Sequence, residues 1–304
     1  MSPTSALPVV AGLDGSRAGS AAADWAAREA LLRGVPLRLV HAWDHVPTPY
    51  ATLAGVAVPP DPGWSERLLA EARESLARRH PELRIDTARV CGDPATALVD
   101  AASEAELLVL GSRGLGRTTG LLLGSVSRAV VARTGHPVVL VRPEDSAEQA
   151  EDDSLAVAGA PVPDGDVVVG VDPDRPDDAV LAFAFDAAAR RGTGLRVIHG
   201  RTPAAEDSAA GFPRADDLAT AAAPLEGAPA DVLRPWQRKF PGVPVTAQAV
   251  VGRAGSHLVD ASRHAALLVV GRAGRQAALG AHIGPVTDAV LHHAAAPVAV
   301  VPHD

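Results

Sequence analysis

Lysine is almost absent: of 28 basic residues in 304, Lys239 is the one lysine and the rest are arginine. Chemistry built on a lysine, whether a Schiff base or a phosphate-loop amine, has that single candidate, and no glycine loop surrounds it. Gly-x-x-x-x-Gly-Lys-[Ser/Thr] does not occur, which excludes a P-loop nucleotide hydrolase. Cysteine is as scarce. Cys91 alone rules out an intramolecular disulfide framework and a zinc knuckle of paired cysteines. Aromatic residues make up 3% of the chain, so its cores must be built from alanine, valine and leucine. Basic blocks are missing too. With a net charge of −8 and a pI near 5.7, the chain lacks the basic stripe that a duplex nucleic-acid binder needs to displace counterions. No apolar run reaches the roughly 18 residues of a membrane span, and Met1–Thr4 has no basic-then-apolar order. The expectation is a soluble, cytoplasmic protein with neither nucleic-acid nor membrane partners.

What is present is a repeat. Hydrophobic residues amount to 47%, and the length suits two domains of about 150 residues. Leu98-Val99-Asp100-Ala101 returns as Leu258-Val259-Asp260-Ala261, a spacing of 160 (258 − 98). Leu107-Leu108-Val109 with Gly111 returns as Leu267-Leu268-Val269 with Gly271 at the same spacing, and Pro137-Val138 returns as Pro297-Val298. Upstream, Gly12-Leu13-Asp14 answers Gly170-Val171-Asp172. This period is far too long for a solenoid and marks a tandem duplication. Between the copies runs a Pro-, Ala- and acid-rich stretch without amphipathic period, read as a linker. The expected domains are 1–143 and 166–304, joined by 144–165.

Within the first copy, short apolar runs alternate with helical spacing. Strands are expected at Pro8–Leu13, Leu37–Trp43, Leu83–Val90, Leu107–Leu110 and Pro137–Val141. Helices are expected at Ala18–Arg33, Trp64–His80, Asp93–Ser103 and Ser125–Thr134, with Pro94 in a first turn, where its missing N–H costs nothing. Continuous apolar strands separated by helices predict parallel βαβ units with helices on both faces. Ligands of such sheets bind at the carboxyl ends of the strands, where chain order reverses.

The residues after the fourth strand carry the chemistry. Gly111-Ser112-Arg113-Gly114 is followed by nine residues and then Gly124-Ser125-Val126-Ser127. Gly111 would let the chain turn off the strand, and Gly114 would let backbone N–H groups approach an anion. Ser125 or Ser127 could cap the next helix, whose N-terminus offers donors and partial positive charge to a phosphate. Arg113 and Arg117 could neutralise further charge. From the residues alone, Gly-x-x-Gly also reads as a plain turn, Asp14 as a turn residue capping the next helix, and His41 as a hydrogen-bonded structural histidine.

Gly111-x-x-Gly114-(nine)-Gly124-Ser125 resembles the nucleotide-binding pattern of the universal stress protein family. Val9-Val10-Ala11-Gly12-Leu13-Asp14-Gly15-Ser16 resembles that family's first strand and turn, and Leu37–Trp43 resembles the second strand of its tandem actinobacterial members. The resemblance spans both copies. It implies an α/β fold of two tandem Rossmann-like (adenine nucleotide alpha hydrolase-like) domains, each a five-stranded parallel sheet with helices on both faces. It further implies that Gly12 and Asp14 line the floor of an ATP site and that Ala42 contacts adenine. Gly111, Arg113, Gly114, Arg117, Gly124, Ser125, Val126 and Ser127 would surround ribose and phosphates, with Mg²⁺ as a possible companion ion.

The second copy departs from the pattern. Gly271, Gly274 and Gly284 are kept, with Gly170 and Asp172 upstream, but Pro285 stands in place of the serine, removing a hydroxyl and a backbone donor. Val286 and Thr287 follow, Thr287 in the place of Ser127. Asp174 replaces Ser16 and brings a second carboxylate toward the phosphates. Unequal sites are expected, the first competent and the second weak. Neither glycine motif contains a fixed acid, base or lysine, so the expected role is that of an ATP-dependent stress-response regulator with at most slow hydrolysis. A slow ATPase and a nucleotide-free scaffold are the alternatives. The resemblance also implies pairing between the last strands, Pro137–Val141 and Pro297–Val301, which in a tandem chain makes an internal pseudo-dimer. Association of two chains into a homodimer and a regulatory protein partner are separate expectations.

Overall fold

The computed structural model describes residues 6–43, 52–53, 56–57, 63–112, 123–143, 165–172, 175–201, 228–251, 254–274 and 283–303. They fall into two compact units, Met1–Gly159 and Ala160–Asp304. Of the expected linker, only Gly165 is among the described residues.

In the first unit β1 (Val9–Gly12), β2 (Leu37–Trp43), β5 (Ile85–Cys91), β6 (Leu107–Gly111) and β7 (Val138–Val141) form a parallel sheet in the order β5-β2-β1-β6-β7. A separate small hairpin pairs β3 (Thr52–Leu53) with β4 (Val56–Ala57). Central β1 pairs with β2 on one side, Val9 opposite Leu37, and with β6 on the other, Val9 opposite Leu107. Chain order therefore reverses between β1 and β6, and their carboxyl ends open the crevice in which ligands of such sheets bind. Helices α1 (Arg17–Arg33) and α2 (Trp64–Arg79) neighbour one another, as do α3 (Pro94–Ser103) and α4 (Ser125–Arg133). Right-handed crossovers put the two pairs on opposite faces.

Local chemistry accounts for these elements. Helix α1 buries Ala18, Ala22, Ala23, Ala26, Ala27 and Ala30 against the sheet, and alanine has both the highest helix propensity and the smallest bulk. It stops at Gly34, whose φ of 66° closes a left-handed cap. Asp93 caps α3, accepting from the Thr96 N–H at 2.8 Å, and Pro94 begins the helix as expected. The third expected strand, Leu83–Val90, is displaced along the chain to Ile85–Cys91. It starts at Ile85 because Leu83 is buried in a turn in which its N–H donates to the His80 carbonyl at 3.0 Å. At the end of α1, Arg33 bridges buried Glu29 at 2.6 Å and Glu106 at 2.5 Å. Burial works to lower the Arg33 guanidinium pKa, and the two carboxylates outweigh it, holding it above the ordinary value.

The second unit repeats the plan. β8 (Val167–Val171), β9 (Leu195–Arg201), β10 (Val245–Val251), β11 (Leu267–Ala273) and β12 (Val298–His303) run parallel in the order β10-β9-β8-β11-β12. Its helices are α5 (Asp178–Arg191), α6 (Ala228–Lys239), α7 (Ala254–Ala261) and α8 (Pro285–His293). Five of the chain's eight Phe and Trp residues belong to this unit, and three of them, Phe185, Trp236 and Phe240, stack at 5.6 to 6.5 Å between ring centroids.

Candidate functional site

At the carboxyl end of β1 the chain leaves the sheet through Leu13-Asp14-Gly15-Ser16. Asp14 Oδ1 accepts from the Ser16 N–H at 3.0 Å and from its hydroxyl at 2.5 Å. Ser16 Oγ in turn accepts from the Gly19 N–H at 3.1 Å and so caps α1. Asp14 thus fixes the residue that caps the helix, while remaining exposed at the mouth of the crevice. Gly15 has φ of 78°, a left-handed conformation that favours glycine. Behind this turn His41 is buried, with Nδ1 2.7 Å from the Leu13 carbonyl oxygen. A carbonyl only accepts, so Nδ1 carries the proton and donates. His41 belongs to β2, one residue before Ala42, and ties the first two strand ends together.

Gly111 ends β6 in an ordinary strand conformation, so no sharp turn accounts for it. A Cβ there would stand 2.5 Å from the Ala18 carbonyl carbon and 2.6 Å from its oxygen, and the glycine exists because α1 crosses it at backbone contact. From the opposite face, Ser127 Oγ donates to the Gly111 carbonyl at 3.1 Å. Neither serine caps α4. The N-cap is Gly124, with no side-chain cap bond, which leaves the first-turn N–H groups to other acceptors. Ser125 is exposed, Val126 half-buried and Ser127 buried. Gly12, Asp14, Ala42, Gly111 and Gly124–Ser127 therefore sit on the strand ends and helix start that flank the crevice. Arg113, Gly114 and Arg117 lie outside the described residues.

Sequence reasoning missed Trp64. Its indole is 44% exposed and meets the His41 ring edge-on at 5.2 Å. The benzo edge lies so near Gly15 that a Cβ there would stand 2.8 Å from Cζ2. In the sequence Trp64 merely begins an amphipathic helix, and only the fold brings it beside the β1 turn.

The second unit reproduces part of this arrangement. Thr287 Oγ1 donates to the Gly271 carbonyl at 2.9 Å, the bond made by Ser127 in the first. Gly284 is again an N-cap with no side-chain bond, but Pro285 opens α8 without an N–H, and Val286 is exposed. Gly170 ends its β8 core against Leu258, and Asp172 lies 3.7 Å from Arg175. Asp174 lies outside the described residues. Around Gly271 the packing differs: it faces the His303 imidazole and the Val180 side chain of α5, where Gly111 faces the backbone of α1. Arg272 is buried in β11, and burial pushes its guanidinium below the usual range.

Among the described residues no cluster of His, Cys, Asp and Glu is arranged to hold a metal, and no helix is long and apolar enough to cross a membrane.

A model of the Universal stress protein family matches residues 7–142 and again residues 165–302. The chain is 34% identical to universal stress protein Rv2005c of Mycobacterium tuberculosis over 309 residues, 96% of each chain. A universal stress protein from Archaeoglobus fulgidus shares the fold, with a TM-score of 0.64 at 16% identity over 98% of this chain and 99% of its own. A universal stress protein solved in complex with cAMP is 30% identical, covering 46% of this chain and all of its own at a TM-score of 0.36.

Proposed function

The chain belongs to the universal stress protein family in two tandem copies, and from that premise we propose that it is an ATP-binding regulator of the stress response. The first unit holds the competent site and the second a degenerate one. The observation carrying this reading is the pair of structures at the β1/β6 switch point. On one side stands the rigid Asp14–Ser16 turn, and on the other the start of α4, whose first-turn donors no side chain caps. Phosphates placed at Ser125, Val126 and Ser127 meet backbone N–H groups and the positive end of the helix. Arg113 and Arg117 add charge, with Mg²⁺ sharing the polyphosphate. The base reaches Ala42 at the end of β2, and Trp64 adds an aromatic surface beside it.

Binding, and at most slow hydrolysis, suits these residues. Among the described residues of the first site the carboxylate is Asp14, and its Oδ1 is already engaged by Ser16, whereas hydrolysis needs an oriented water. ATP occupancy would instead draw the β1 turn and α4 together and change the surface offered to a regulatory protein. A homodimer in the cytoplasm completes the reading; a concentration-independent monomer mass in sedimentation would remove the dimer.

Calorimetric titration of nucleotide-freed protein with Mg²⁺-ATP, ADP, AMP and cAMP tests the site. About one strongly bound ATP per chain is expected, lost in the Gly114→Ala, Ser125→Ala double variant. Folded protein that binds none of the four would make the chain a scaffold with glycine loops kept for packing. Two equal ATP sites would refute the inequality.

A further inference from the structure

We infer that the second nucleotide site is held shut by the chain's own last strand, and that releasing Pro302 and His303 opens a second, weaker adenine-nucleotide site. The inference rests on the nucleotide reading above and concerns the regulation of the second copy.

The two units differ at the strand ends that border the glycine loops. In the first, pairing between β6 and β7 ends, among the described residues, at Gly111 opposite Val141, with the Ser112 N–H donating to the Val141 carbonyl at 2.8 Å; Arg113 and Gly114 lie outside those residues. In the second, β11 and β12 each run two residues further, pairing Arg272 with Pro302 and Ala273 with His303. The extension reaches the loop itself: the Gly274 N–H donates to the His303 carbonyl. Gly274 is the second glycine of the motif, the place where a backbone donor turns on an anion in a nest of this kind. A donor committed to a strand carbonyl is withdrawn from that task.

The His303 side chain strengthens the closure. A Cβ on Gly271 would stand 2.7 Å from its Nε2, so the ring fills the space between β11 and the start of α5. Its Nδ1 lies 3.6 Å from Asp177 Oδ2. Asp177 is also the cap of α5, accepting from the Ala179 and Val180 N–H groups at 2.8 and 3.2 Å. His303 is therefore fastened by backbone to the glycine loop and by side chain to the helix cap. Pro143 occupies the matching position of the first copy, at the same spacing of 160 (303 − 143), and offers no such side chain.

Behind the closure the second unit keeps its machinery. The three glycines remain, Thr287 makes the tie to Gly271 that Ser127 makes to Gly111, and α8 begins without a side-chain cap. Pro285 removes one donor, which weakens a phosphate site without abolishing it. A hydrogen bond and a partly exposed contact between His303 and Asp177 are weak fastenings, so the closure is reversible, unlike an eroded motif.

The test is Mg²⁺-ATP calorimetry on three forms: the full chain, a chain ending at Val301, and a full-length Asp177→Asn, His303→Gly variant that keeps the main chain. Circular dichroism and urea midpoints confirm that each is folded. The full chain is expected to bind one ATP, and the chain ending at Val301 to bind two. The new site should be about tenfold weaker than the first, as the loss of one charge-assisted donor implies. The double variant should gain the same site more weakly, and Gly274→Ala in the shortened chain should remove it. Folded shortened and double variants that bind no more nucleotide than the full chain overturn the inference, as does a full chain already binding two. If the full chain binds none while the shortened chain gains one, the closure stands and the reading of the first site falls.

Discussion

Replacing Gly111 by alanine tests the idea that the site is built on backbone contact between α1 and β6. The new methyl carbon would lie 2.5 Å from the Ala18 carbonyl carbon, 2.6 Å from its oxygen and 2.8 Å from its Cβ. Carbon atoms at ease stand about 3.5–4.0 Å apart, so α1 must retreat by about 1 Å, enough to forfeit a quarter to a half of each dispersion contact it makes. The retreat lifts a face that includes Ala18, Ala22 and Trp25. Overpacking costs about 1–3 kcal/mol, and two opposed stretches of backbone, which have no rotamer to change, place Gly111→Ala at the upper end, about 3 kcal/mol. Gly271→Ala is the matched control. Its methyl would meet the His303 ring at 2.7 Å and Val180 Cγ2 at 3.1 Å, both side chains that can move. Alanine also lowers the entropy of the unfolded chain, by about 0.4–1 kcal/mol, so this variant should stay within about 1 kcal/mol of the parent. Urea unfolding followed by tryptophan fluorescence reads the first unit preferentially, because Trp25, Trp43 and Trp64 lie there and only Trp236 in the second, so far-UV circular dichroism, which reads both units, follows the Gly271→Ala control. With a slope of about 2 kcal/mol per molar, Gly111→Ala should lower the first-unit midpoint by about 1.5 M. Equal midpoints for the two variants would refute the reasoning.

Three other expectations follow from single contacts. Glu29→Ala leaves the Arg33 guanidinium buried with one carboxylate fewer and should cost about 3–5 kcal/mol in the same urea assay; a change below about 1 kcal/mol would show that water reaches the group. The Thr96 hydroxyl first and the Thr96 backbone N–H second, with Arg133 adding a smaller charge effect, hold the Asp93 carboxyl below its ordinary range. Its contribution to α3 is therefore present above the unfolded carboxylate pKa and is lost as pH falls through the lower folded value, and an NMR titration of Asp93 at or above the ordinary value would contradict this. Trp64→Ala should weaken ATP binding about tenfold while inorganic triphosphate binding stays unchanged, and Trp64→Phe should retain most of the affinity. Equal losses for ATP and triphosphate would mean that the indole supports the loop and does not touch the base.

Much of the architecture was legible along the chain because it depends on local or periodic chemistry. The alanine-rich run ending before Gly34 read as a helix from its spacing, and Asp93-Pro94 announced the start of another. The tandem repeat and the spacing of Gly111, Gly124, Gly271 and Gly284 were likewise properties of order, and they carried the family resemblance. What the glycines do was not legible. Gly111 read as a turn and is in fact a point where a helix backbone touches a strand. Ser127 read as a cap and instead ties α4 to the Gly111 carbonyl. Each outcome depends on distances between segments remote in sequence, which no local pattern encodes. For the same reason Trp64 gave no sign of its neighbours Gly15 and His41, nor His303 of Gly271, Gly274 and Asp177. Sequence determined the elements and the repeat, through propensity and periodicity. Tertiary packing decided which backbone donors stay open and which are taken, because that choice depends on where the strands end in space.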